Sequence, residues 1–146
     1  MLTAGTILYF TPFYFKNGAT SKDKYFIVLK EIEDRIILAS LPSSQIFLPH
    51  RIAEDHGCIE VPEGCINCYL FTRGRVIGVG GFSFPLLTAL YGQQIDTYEK
   101  AIIQQQYPVE GVDYVIVDQL LPQEHEMILD CLRQSASVSK KHKRIL

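Results

Sequence analysis

Four residues in the middle of the chain have the types and spacing to do chemistry: His56-x-Cys58, then Cys65-x-x-Cys68. One imidazole and three thiolates within thirteen residues are a donor set that closes a tetrahedral structural zinc site. The C-x-x-C half has a familiar ligand spacing. The His-x-Cys half fits less well, because residues two apart on a strand share a face and leave little room to wrap an ion. The same cysteines also read as small buried apolar side chains. Redox use of Cys65 and Cys68 lacks the βαβ setting that such a motif needs. His50, His125 and His142 have no spacing partner, and no G-x-S-x-G elbow accompanies any serine. Gly78, Gly80 and Gly81 do not have dinucleotide-fingerprint spacing and are read as a bend or bulge.

The elements that would position these groups are mostly strands. Residues 5–15 are rich in β-branched and aromatic side chains, with Pro12 marking an end, an edge or a bulge. A polar loop centred on Asn17-Gly18 leads to the apolar run Tyr25 to Leu29, a turn at Asp34-Arg35, and a third strand from Ile36 to Leu41. Cys68 to Phe71 reads as a strand, with Arg75 to Val79 pairing against it across Thr72-Arg73-Gly74. Leu86 to Gln106 reads as two short helices interrupted near Gly92, and Tyr114 to Val117 as a β-branched strand. Pro122 opens a final helix at the position where its missing N–H costs nothing. Glu124 and Glu126 sit near the positive end of its dipole, and Met127, Ile128, Cys131 and Leu132 form its apolar stripe.

The fold class predicted is mainly β with added helices (α+β): a small, strongly bent antiparallel barrel with a C-terminal helix. With 146 residues, 47% apolar and 21% charged, the chain makes one globular domain, 1–137, with a divergent middle at about 46–112 and a frayed basic tail at 138–146. The net charge of −2 excludes a basic surface over the whole chain but not a local basic patch. Residues 1–50 carry five basic and four acidic groups, whereas 101–139 carry one and six. No apolar stretch is long enough for a membrane helix and no secretory leader is visible, so the expectation is a cytoplasmic protein with reduced thiols and no cofactor.

Three segments together resemble the MazF/PemK family of toxin endoribonucleases, whose fold is an SH3-like barrel. The first is Gly5-Thr-Ile-Leu-Tyr-Phe10 with the polar loop and Ser21-Lys-Asp-Lys24 entering Tyr25-Phe-Ile-Val-Leu29. The second is Ile37 to Leu41 running into Pro42-Ser43-Ser44-Gln45. The third is Val115-Ile-Val-Asp118-Gln119 with the helix after it. The resemblance covers about 65 residues by position. It implies metal-independent cleavage of single-stranded RNA with the 2′-hydroxyl as nucleophile. It places the phosphate-facing cation at Lys24 and the hydroxyl at Ser43 or Ser44, with Lys16, Ser21, Lys22 and Gln45 as further RNA contacts. It also implies a homodimer and a neutralising antitoxin protein. The family's Arg-Pro pair is Lys24-Tyr25 here. A lysine cannot offer the bidentate guanidinium fork, so cutting is expected to be weaker than with arginine. A rival reading keeps the barrel as a non-catalytic protein-interaction module, with Tyr9, Phe10, Phe13, Tyr14 and Phe15 burying a partner. The zinc-stabilised domain, on His56, Cys58, Cys65 and Cys68, is the third.

Overall fold

The computed structural model describes residues 2–41, 56–61 and 66–146. The chain is α+β and mostly strand. In order it has β1 (Thr6–Phe13), β2 (Lys22–Ile32), β3 (Arg35–Ser40), β4 (Gly57–Val61), β5 (Ile66–Phe71), β6 (Thr88–Tyr91), β7 (Ile95–Glu99), α1 (Lys100–Gln106), β8 (Tyr114–Gln119), α2 (Pro122–Gln134) and α3 (Lys140–Ile145). A five-stranded antiparallel sheet runs β7-β3-β2-β1-β8, and a three-stranded one runs β4-β5-β6.

The run Tyr25 to Leu29 is continuously apolar because both faces of the large sheet are covered, so both sets of alternating side chains are buried. Ile27, Leu29, Ile37 and Ala39 pack with Tyr69 and Phe71 of β5 and with Ile128 and Leu132 of α2. Phe26, Val28, Ile36 and Leu38 pack on the other face with Ile103 of α1, Tyr107 and Tyr114. The β1–β2 pairing shifts register between Phe10 and Phe13, so Pro12 does sit at a bulge.

Several expectations are corrected. Phe10 and Phe13 do not form an edge for a partner; they are fully buried among Phe26, Tyr98 and Tyr107. Arg75 to Val79 does not pair with β5, whose neighbours are β4 and β6. Most of 86–106 is not helical. Leu87, Ala89 and Tyr91 share one small cluster with Cys68 and Leu70 while Leu90 joins the main core, which is the period of a strand. Only Lys100 to Gln106 coils. Met127 is exposed, and the buried face of α2 is Glu124, Ile128, Leu129, Cys131 and Leu132. The tail is not frayed: Val138 and Leu146 are buried, and Lys30 and Arg133 donate to the Leu146 carbonyl oxygen. No helix among the described residues is long and apolar enough to cross a membrane.

Candidate functional site

The zinc reading fails on connectivity. The packing of α2 on β4 brings the Cα atoms of Cys58 and Cys131 to 5.5 Å, and the two are joined as a disulfide. The expectation of uniformly reduced thiols is corrected with it. Cys68 is free but buried, and burial pushes its thiol up to about 11, away from the thiolate a metal needs. Cys65 lies outside the described residues. His56 is already committed at both ring nitrogens. Its Nδ1 accepts the Thr72 backbone N–H at 3.2 Å and faces the Thr72 hydroxyl at 3.3 Å. The ring proton therefore sits on Nε2, which donates to Glu124 Oε1. The Tyr69 hydroxyl donates to the same oxygen at 2.8 Å. Burial, and then the carboxylate beside it, push the Tyr69 phenol far above its ordinary range. Among the described residues no group of three or more His, Cys, Asp or Glu is placed to hold a metal. His56, Glu124 and Tyr69 form a buried polar pin between the small sheet and the first turn of α2, closed to any substrate. Of its members the sequence singled out only His56 as a possible site; Glu124 read as a dipole partner and Tyr69 as a strand residue.

Asp118-Gln119 is also structural. The Asp118 carboxylate accepts N–H groups from Gly80 and Phe82 at 3.0 Å and from Gln119 at 2.7 Å. Burial raises its pKa, but the three backbone donors outweigh that and hold it below the ordinary value. Gly78 and Gly80 are glycines because the carboxylate occupies the space where a Cβ would stand. Gln119 donates to the Ala4 carbonyl and accepts from Thr6.

The residues of the RNA expectation gather elsewhere, at one end of the face that carries Phe26 and Leu38. Lys22, Lys24 and Phe26 alternate along one side of β2. Phe26 lies opposite Ser40, the last residue of β3. The β1–β2 loop folds beside them, and the Lys24 ammonium lies 5.4 Å from the centre of the Phe15 ring. Burial, and secondarily Lys22, lower the Lys24 pKa. Lys16 crosses to β7, where it donates to the Thr97 carbonyl, pairs with Asp96 at 3.5 Å and sits 4.0 Å over the Tyr98 ring. Ser21 and Lys22 are exposed. Ser43, Ser44 and Gln45 lie outside the described residues.

These elements enclose a groove of about 190 Å³. Phe15, Phe26 and Tyr98 form its apolar walls, and Asn17, Ser40, Gln93, Gln94 and Asp96 supply its polar groups. Gln94 reaches it because β7 pairs with β3 and the short 3₁₀ turn Gly92–Gln94 precedes β7. Those glutamines were read as an interrupted helix, so neither was expected here. The arrangement can hold a flat polar ring between aromatic faces, next to a cation. Comparison with family models, characterised proteins and solved structures finds no match to this chain.

Proposed function

We propose that this protein is a MazF/PemK-like RNA-contacting protein that holds single-stranded RNA in the groove bounded by Phe15, Lys24, Ser40 and Tyr98. The observation carrying this reading is the convergence of Lys24, the loop holding Lys16, Ser21 and Lys22, and the end of β3 on one aromatic-walled groove. Single-stranded RNA is recognised by stacking unpaired bases on aromatic rings and by pairing phosphates with cations. Both elements stand side by side here, on the half of the chain whose charge is not acidic.

Cleavage follows from the same geometry in outline. The RNA 2′-hydroxyl attacks the adjacent phosphorus, and the bond to the 5′-oxygen breaks. The proton taken from the nucleophile is balanced by one given to the leaving oxygen. Lys24 supplies positive charge to the phosphoryl oxygens, as a point charge without a guanidinium's two-point grip. Asp96, the one carboxylate among the described residues lining the groove, is turned onto Lys16 and the Thr97 N–H. Binding is thus the better supported half of the activity, and cutting is slow by comparison. The resemblance adds a homodimer and a neutralising protein to the proposal.

The test is binding and cleavage of a mixed pool of short single-stranded RNAs. Salt-dependent binding is expected, and Lys24→Ala should weaken it for all sequences and reduce the slope of log K against log salt by about 1. Lys24→Arg should raise any cleavage. An absence of binding at roughly 50 mM salt, or binding indifferent to Lys24→Ala, overturns the proposal.

A further inference from the structure

Resting on that reading of the groove, we infer that it is a base pocket that selects bases presenting two hydrogen-bond acceptors, guanine or uracil, and rejects adenine. The argument is an inventory of which polar atoms remain available. A side-chain amide offers one acceptor oxygen and two N–H donors. In Asn17 the oxygen is occupied, since Oδ1 accepts the Ala19 backbone N–H at 3.0 Å. In Gln94 it is occupied too, since the Ser40 hydroxyl donates to Oε1 at 3.1 Å. Ser40 is itself buried and cannot swing away without abandoning its place opposite Phe26. Both amides are therefore turned so that their NH₂ groups have no acceptor among the described residues. Asp96, which could have received a base amino group, is folded back on Thr97 and Lys16. Gln93 has no fixed orientation and adapts to either edge.

The polar groups held in place thus point donors at whatever lies between Phe15 and Tyr98. Guanine answers with O6 and N7, two neighbouring acceptors. Uracil answers with its two carbonyl oxygens. Adenine pairs its amino donor with a single ring acceptor on both its Watson–Crick and Hoogsteen edges. In this pocket that amino group meets a second donor, and one of the two NH₂ groups goes unpaired, the situation that lets hydrogen-bonding sites discriminate most strongly.

The experiment uses the full chain and octamer RNAs labelled at one end: A8, U8, and A8 with one adenosine replaced by inosine, which changes the 6-amino group to a carbonyl. U8 and the inosine octamer should bind about tenfold tighter than A8. Gln94→Glu and Asn17→Asp, each converting an NH₂ donor to an acceptor on an exposed side chain, should each erase most of that preference. Equal binding of all three octamers overturns the inference while leaving RNA binding intact. A preference unchanged in both variants also overturns it, by placing base reading elsewhere. No binding of any octamer removes this inference and the functional proposal together.

Discussion

A single methyl group added at Gly78 should destabilise the fold, and only while Asp118 keeps its carboxylate. Gly78 has an ordinary backbone conformation, so Gly78→Ala carries no φ penalty; its Cβ would land on the Asp118 carboxylate. The carboxylate cannot move aside freely. Turning it away forfeits hydrogen bonds from Gly80, Phe82 and Gln119. Hydrogen bonds to a charged group contribute about 1.5–3 kcal/mol each when buried. Solvent access discounts them here to roughly 1 kcal/mol each, so Gly78→Ala should cost about 2–3 kcal/mol, within the range for overpacking. At about 2–4 °C per kcal/mol for a chain of this size, Tm falls by roughly 5–10 °C. In an Asp118→Ala background the same methyl meets little and should cost under about 1 kcal/mol. The assay is thermal unfolding of the four proteins of this cycle. Asp118 also predicts an acid limb. Its folded pKa lies below the ordinary value of 3.8, so its contribution is complete above the unfolded value and is lost as pH falls through the folded one. The stability gap between wild type and Asp118→Ala should be flat from about pH 7 to 5 and shrink below about pH 4. Equal costs of Gly78→Ala in both backgrounds would refute the reasoning.

Tyr69→Phe removes one of two donors to the buried Glu124 carboxylate and should cost about 1.5–3 kcal/mol in urea unfolding, with RNA binding unchanged; loss of binding at unchanged stability would mean that the pin belongs to the site. Phe13→Ala should cost about 3–5 kcal/mol by emptying core volume, and light scattering should show no change of mass, since Phe13 meets its own chain and not a partner. Cys58 and Cys131 close a separation of 73 residues, so reduction, or Cys131→Ser, should remove about 4 kcal/mol by the chain-entropy estimate. A melting temperature indifferent to reductant would contradict the bond.

The opening meander was legible because its apolar runs are strand-length and end at residues that turn, and burial on both faces only lengthened them. What misled the reading after it was spacing that two structures share. Leu86, Leu87, Leu90 and Tyr91 fit a helical stripe, yet β6 divides Leu90 from Ala89 and Tyr91 across its two faces. The Cys58–Cys131 bond had no local signal, because the two positions meet only when α2 packs on the small sheet. The aromatic residues at 9–15 looked like a surface because composition does not say that a second layer, Ile103 and Tyr107, lies over them. At the groove, Lys24 and its loop could be picked out from segment order. Ser40 and Gln94 could not, since they lie 54 positions apart and are joined only through the β3–β7 pairing.

The central claim is the location of the RNA, and it is tested most directly by backbone amide NMR of the labelled protein titrated with U8. The account predicts that the largest shifts fall in the Phe15–Lys24 segment, at Ser40 and from Gln93 to Tyr98, with Gly78–Phe82 and Glu124 unmoved. Shifts confined to other surfaces, such as the exposed side of β8 or α3, would contradict it.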